Sequence, residues 1–240
     1  MQLRGAVALV TGGAGGLGEF IVSRLDAGGA SVVAADVSAG QASREGVAFV
    51  RADMRVADDV ARMLDEAVSL HGRLDVLVNC AGGWGAANYP AASFEEWQAT
   101  LFLNLGAPML ATQLALDALR SGGGGAVVNI ASSAGLGLAP YDSPEYGAAK
   151  AGLIRFTSTL AGLRESMNVR VNCIAPDWIG LDRAKAELAA MSPAARAAAP
   201  ELLDPTEIAD AVADLACDES LAGRVLVMRG GSPSRLLPQS

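Results

Sequence analysis

Seven short apolar runs alternate with stretches of helical period along nearly the whole chain, which restricts the fold to strands joined by helical crossovers around a parallel sheet. The runs are Ala6 to Val10, Ser31 to Ala35, Val47 to Arg51, Leu74 to Val78, Ala126 to Ala131, Val169 to Ile174 and Arg224 to Met228. Helical period fills 16–27, 57–71, 93–119, 146–166 and 205–217, the third broken near Gly106-Ala107-Pro108. Two helix starts carry signatures of their own. Ser93-Phe94-Glu95-Glu96 and Asp204-Pro205-Thr206-Glu207 both match a capping box, the second with Pro at the first helical position. No repeat, Ser-rich linker or charge block divides the chain, and Ser121 to Gly125 falls between a helix and a strand, as a turn would. The expectation is one α/β domain over 1–240 with a doubly wound parallel sheet of about seven strands. Arg183 to Pro200, Ala-rich and without a strand, is a candidate substrate lid.

Composition narrows the function. With 240 residues, 51% of them hydrophobic, the chain can supply a full core. Its 18 Lys and Arg face 26 Asp and Glu, a net charge of −8 that makes nucleic acid a poor partner. Cys80, Cys173 and Cys217 lie singly among aliphatic residues and read as reduced core thiols. The single histidine, His71, sits before Gly72 at a helix end, so no metal site and no Ser-His-Asp triad is expected. The apolar N-terminal run is too short for a membrane span and turns at once into Gly-rich sequence, which suits a cytoplasmic protein.

Thr11-Gly12-Gly13-Ala14-Gly15-Gly16-Leu17-Gly18 follows the first strand and opens a helix whose apolar positions are Leu17, Phe20, Ile21 and Leu25. Glycines let the backbone approach a pyrophosphate, and the helix N-terminus offers free N–H groups and partial positive charge. A Gly-rich turn alone is weak evidence; strand before and helix after make it a Rossmann-type dinucleotide site, with Gly12, Gly16, Leu17 and Gly18 against the cofactor. Asp36 ends the second strand, where an acid binds the adenosine ribose hydroxyls and repels a 2′-phosphate. Val37 and Ser38 follow it and the loop holds no Lys or Arg, so NAD is expected and NADP disfavoured.

Tyr146-Gly147-Ala148-Ala149-Lys150 puts a phenol and an ammonium on one face of the helix that follows the fifth strand. A free phenol has a pKa of about 10, and a nearby ammonium favours its ionised form, which suits proton exchange with an alcohol or carbonyl. The same spacing also fits an ordinary exposed i,i+4 pair.

The Gly loop, Asn79-Cys80-Ala81-Gly82, Ser132, Tyr146 and Lys150, in this order, resemble the short-chain dehydrogenase/reductases of the classical type. The resemblance implies that Asp53 and Met54 contact adenine, that the turn Asn79 to Gly82 supports the cofactor through Asn79, Ala81 and Gly82, and that Pro176 and Ile179 hold the nicotinamide side. It implies Asn104 in a proton relay, Tyr146 as general acid/base, and Lys150 on the nicotinamide ribose lowering the phenol pKa. For the catalytic serine, counting from Asn129 selects Ser132, while the usual interval back from Tyr146 selects Ser133. Ser132 is preferred because the surplus residue fits the loop 138–142. Two departures stand out: Asp177 and Leu181 replace the Gly and Thr of the family's Pro-Gly-x-x-x-Thr, and Arg229 replaces the Asp of its C-terminal Asp-Gly-Gly.

Trp84, Leu136, Tyr141 and Trp178, with Tyr89, Leu138 and Met191, lie beyond strand ends or in the lid and are candidates for an apolar substrate pocket. The leading expectation is NAD-linked interconversion of a secondary alcohol and a ketone on a small-molecule substrate, by a homo-oligomer, expected as a tetramer. The alternative is a cofactor-binding sensor or scaffold without turnover, which Asp177 and Leu181 would favour. Epimerisation or elimination on the same fold is a third.

Overall fold

The structure, a computed structural model, describes residues 1–39, 46–85, 89–138 and 141–238. Ala139 and Pro140, where the surplus loop residue was placed, lie outside them. A single sheet forms the centre, in the order β3-β2-β1-β4-β5-β6-β7-β8. The strands are β1 (Val7–Thr11), β2 (Ser31–Asp36), β3 (Val47–Arg51), β4 (Val76–Asn79), β5 (Gly125–Ile130), β6 (Val169–Pro176), β7 (Val225–Arg229) and β8 (Ser232–Leu237). The first seven pair in parallel; β8 returns antiparallel on β7.

The apolar runs become strands because both faces of the sheet are covered. Ala8, Val10, Val32, Ala34, Val76 and Val78 point to one side. There they meet Leu17, Ile21, Val22 and Leu25 of α1 (Gly16–Ala27) and Ile208, Val212 and Leu215 of α9 (Pro205–Cys217). Leu9, Val33, Leu77 and Val127 point to the other, against Val60, Met63 and Leu64 of α2 (Ala57–His71) and Ala107, Ala111, Ala115 and Leu119 of α4 (Ala107–Ser121).

The remaining helices are α3 (Phe94–Leu101), α5 (Pro144–Thr159), α6 (Leu163–Met167), α7 (Asp182–Ala190) and α8 (Pro193–Ala198). The capping box at Ser93 forms: its hydroxyl accepts from Glu96 N at 3.3 Å, and Glu96 Oε2 accepts from Ser93 N at 2.8 Å. At Asp204 the expected box is replaced by a simpler cap, the carboxylate accepting from the N–H and the hydroxyl of Thr206 at 2.8 and 2.7 Å. His71 closes α2 ahead of Gly72, which takes the left-handed conformation.

The expected break near Pro108 is a π turn, Phe102–Gly106, between α3 and α4. Pro108 has no N–H for the carbonyl of Asn104 four residues back or Leu103 five back, so the helical ladder loses a bond there. By length and composition the run Phe94–Ser121 could cross a membrane, but here the α4 stripe from Ala107 to Leu119 is buried in the core.

Candidate active site

The strand order reverses at β1, which lies between β2 and β4, and ligands collect at the carboxyl ends beside such a switch point. The Thr11 hydroxyl ties the two turns bordering it, accepting from Cys80 N and Ala81 N at 3.1 Å each. Gly12 has φ +66°, and a Cβ there would lie 2.9 Å from Ala81 Cα, so only glycine lets the turns approach. A crevice of about 1140 Å³ opens above them. The N-terminus of α1 meets it through Gly15, Gly16 and Leu17, and among the described residues no side chain caps that end. Uncapped N–H groups beside close-packed glycines fit a pyrophosphate.

Gly12, Gly16, Leu17, Gly18, Asp36, Asp53, Met54, Ala81 and Gly82 all line the crevice, as do Pro176 and Ile179 across from them. Asp36 is held at both oxygens, accepting from Ala14 N at 3.2 Å and from Val37 N at 2.7 Å. Asp53 is gripped by the fork of Arg55 at 2.7 and 2.9 Å, and that hydrogen bonding holds its carboxyl below the usual range. Asn79 does not reach the crevice. Its side chain is buried in the sheet, donating to Asn129 Oδ1 at 2.8 Å and Thr112 Oγ1 at 3.2 Å. Asn129 in turn donates to Thr157 Oγ1 of α5 at 2.9 Å. Asn79 therefore supports the turn from behind, through a polar ladder that no local spacing announces.

That ladder braces α5, whose first turns present Tyr146 and Lys150 to the crevice. Lys150 is buried, donates to the Ile130 carbonyl at 2.8 Å, and sits 5.5 Å from the centre of the Tyr146 ring. Burial lowers its pKa to about 8, so it remains mostly charged at neutral pH. The Tyr146 phenol does not behave as expected. Burial pushes it up to about 12, with the nearby Tyr141 adding to the rise, and this outweighs the opposing hydrogen bond to Ser132 and charge of Arg183. In the ligand-free protein the phenol is a proton donor, and Lys150 does not make it acidic.

The two serines separate cleanly. Both line the crevice, but the Ser132 hydroxyl lies beside the phenol, where it opposes the rise in its pKa, and accepts from Ala134 N at 3.2 Å, while Ser133 donates to Asp177 Oδ1 at 3.1 Å. Asn104 is fully buried in the π turn. It accepts from Gly83 N at 3.0 Å and donates to Gly83 O and Thr100 O at 2.6 and 2.9 Å. A Cβ on Gly82 would fall 2.9 Å from Asn104 Oδ1 and 3.2 Å from Lys150 Nζ, so Asn104 and Lys150 close on the same glycine.

At the far end Trp84, Tyr141 and Trp178 line the crevice. The Trp84 ring lies 4.7 Å from that of Tyr146, and Tyr141 stacks on Tyr146 at 6.1 Å. Leu136 packs instead into a core patch with Ala131, Leu153 and Cys173, while Tyr89 and Leu138 are exposed. The proposed lid is the helix pair α7 and α8, tied together by Arg196 to the Leu188 carbonyl at 3.0 Å. Arg183, Ala184 and Glu187 of α7 face the crevice, and the Arg183 guanidinium lies 4.7 Å over the Trp84 ring. Sequence reasoning missed this pairing, since the partners are distant in the chain. The two departures from the family pattern meet in space: Arg229 comes within 3.9 Å of Asp177.

A nucleotide cradle at a sheet switch point, with a phenol, a buried ammonium and a serine over it, defines a dinucleotide-dependent enzyme class. Residues 6–192 match the short chain dehydrogenase family, and the chain belongs to it. It is 33% identical to an acetoacetyl-CoA reductase of Allochromatium vinosum, covering 94% of this chain and 97% of the relative. A cis-4-hydroxycyclohexanecarboxylate dehydrogenase of Sinomonas cyclohexanicum is 34% identical, over 94% and 95% of the two chains. Among solved structures, a short-chain type dehydrogenase/reductase from Mycobacterium ulcerans superposes with a TM-score of 0.85 at 26% identity, covering 96% of this chain and 90% of the other. The protein is thus an oxidoreductase of a family that binds NAD(H) or NADP(H).

Proposed function

We propose that this protein interconverts a secondary alcohol and a ketone with NAD as hydride carrier, and that Tyr146 moves the proton. The observation that carries this reading is the convergence of Ser132, Tyr146 and Lys150 at the crevice above the uncapped α1 terminus. NAD, bound along Gly12 to Gly18, Asp36 and Gly82, would supply hydride exchange at its nicotinamide ring. The chain's own residues do the rest. Ser132 holds the substrate oxygen as charge develops on it, and Tyr146 gives that oxygen a proton in the reductive direction or takes one in the oxidative direction. Lys150 binds the nicotinamide ribose, and its charge steadies the phenolate that forms. Asn104 anchors a relay returning protons to solvent. A neutral phenol in the free protein suits ketone reduction as it stands; oxidation requires the phenol first to lose its proton along that relay.

Asp36 supports NAD over NADP. The relatives' names, a ketoacyl thioester reductase and a hydroxycycloalkane carboxylate dehydrogenase, both describe a CH–OH and C=O pair, which favours the same chemistry here. Exposed Phe94, Met109 and Leu114 along α3 and α4 favour assembly with further copies, a tetramer or dimer, and we place the protein in the cytoplasm as a single catalytic domain with a lid at 183–200.

The test is NADH formation and consumption across a panel of secondary alcohols and ketones, including 4-hydroxycyclohexanecarboxylate, for the wild type and Tyr146→Phe. Turnover lost in the variant with NADH binding retained supports the reading. Cofactor binding without turnover of any panel member would support a sensor or scaffold instead.

A further inference from the structure

We propose that the substrate carries a carboxylate, and that Arg183 selects for it at the lid side of the crevice, with the Ser143 hydroxyl as a second donor. The inference rests on the oxidoreductase reading above and narrows it to hydroxy and oxo acids.

Three cations line the crevice among the described residues: Arg55, Lys150 and Arg183. Arg55 forks onto Asp53, and Lys150 is buried beneath Tyr146 on the Ile130 carbonyl. Only Arg183 remains to meet a substrate. Its guanidinium lies 4.7 Å over the Trp84 ring, and that ring lies 4.7 Å from the Tyr146 ring. A guanidinium over a ring face can still take a planar, bidentate partner along its N–H edge. The Trp84 ring thus stands between the guanidinium and the Tyr146 ring, so a substrate with its carbinol at Tyr146 would reach Arg183 past that ring.

The ion partner of Arg183 in the free protein is Glu187, 3.5 Å away and one turn along the same helix. An exposed pair of this kind contributes little and yields to a carboxylate that docks in the fork. Ser143 supplies the independent observation. It lines the crevice and is 1% exposed, its side chain does not cap α5, and its oxygen has no hydrogen-bond partner among the described residues. A buried hydroxyl left unpaired is costly, and a ligand oxygen relieves that cost.

Acidic groups at this end oppose an anion only where they are free. Asp177 receives Ser133 and faces Arg229, Asp142 is exposed at the rim, and Glu187, half-exposed, is left to solvent once a carboxylate takes its place on Arg183.

The test uses three compounds sharing one carbinol ring: 4-hydroxycyclohexanecarboxylate, its methyl ester and 4-(aminomethyl)cyclohexanol. The wild type should favour the acid over the ester by about tenfold or more in kcat/KM, and Arg183→Gln should bring that ratio close to one, as expected for a lost charge-assisted fork. Arg183→Lys should keep part of the ratio, and Ser143→Ala should lower it by about threefold. Equal losses for acid and ester in Arg183→Gln would show that the side chain only packs on Trp84, and a wild-type preference for the amine would reverse the assigned charge; either overturns the inference. Cyclohexanecarboxylate, which has no hydroxyl to oxidise, is titrated separately against tryptophan fluorescence. Binding that Arg183→Gln weakens about tenfold supports the anion site even if no alcohol is turned over. Absence of such binding overturns it even if neutral alcohols are oxidised.

Discussion

Replacing Asp36 by Ala tests cofactor choice at one atom group. Both carboxylate oxygens are held by backbone N–H groups, from Ala14 at 3.2 Å and Val37 at 2.7 Å, so the charge cannot swing away from an incoming 2′-phosphate. Two unit charges 4 Å apart repel by about 1 kcal/mol in water and about 4 kcal/mol at an effective dielectric of 20. A phosphate carries nearly two charges, and Asp36 lies at an open crevice, so the low end applies and discrimination of about 2 kcal/mol, roughly 30-fold, is expected. Arg55, which lines the same crevice, is committed to Asp53 and does not offset it. NADH and NADPH titrations by nicotinamide fluorescence, with kcat/KM for each, should show the NADPH:NADH preference of Asp36→Ala shifted toward NADPH by about 30-fold. A shift below about threefold, or a wild type that binds both forms equally, would refute the role given to this carboxylate.

Three further outcomes follow from the geometry. Ser132→Ala should lower kcat/KM by about a hundredfold or more, whereas Ser133→Ala, which removes only the bond to Asp177, should change it by less than about fivefold; the reverse order would put the catalytic hydroxyl on the wrong serine. Asn129→Ala breaks the buried ladder from Asn79 to Thr157 and should cost about 2–4 kcal/mol in urea unfolding, with a loss under about 1 kcal/mol contradicting its bracing role. The absorbance of phenolate, taken as wild type minus Tyr146→Phe, should show this phenol ionising near 12 in the free protein, not near 10. Because the folded state then keeps a proton that the unfolded chain releases, linkage makes this group's contribution to stability fall as pH rises from about 10 to about 12.

Most of the scaffold was legible because parallel strands covered on both faces leave continuous apolar runs, and Val7 to Val10 or Val76 to Val78 can be little else. β8 was not, since Ser232 to Arg235 are exposed and Pro233 breaks strand propensity. The signal is present in Gly230-Gly231, a two-residue hairpin turn pairing Arg229 with Ser232, at the position where the family resemblance places its C-terminal Asp-Gly-Gly. The long helix expected over 146–166 ends at Thr159, and its remainder is the short α6 after Gly162. The segment 183–200, read from sequence only as lacking a strand, holds most of α7 and all of α8. Within the site, Tyr146, Lys150 and Ser132 could be found because helix spacing and a strand end fix them locally. The direction of the Tyr146 shift could not, because burial by Trp84 and Tyr141 depends on packing among remote segments. Arg183 over Trp84, Ser143 without a partner among the described residues, and Asn129 joining α4 to α5 share that origin.

The proposed reaction has Tyr146 move the proton while hydride passes between substrate carbon and nicotinamide. Its most direct measurement follows deuterium from a carbinol-deuterated secondary alcohol in a single turnover with NAD. The label should appear on the reduced nicotinamide with a primary isotope effect, and Tyr146→Phe should bind NADH as the wild type does yet transfer deuterium about a thousandfold more slowly. Label lost to solvent, or transfer at the wild-type rate without the phenol, would contradict it.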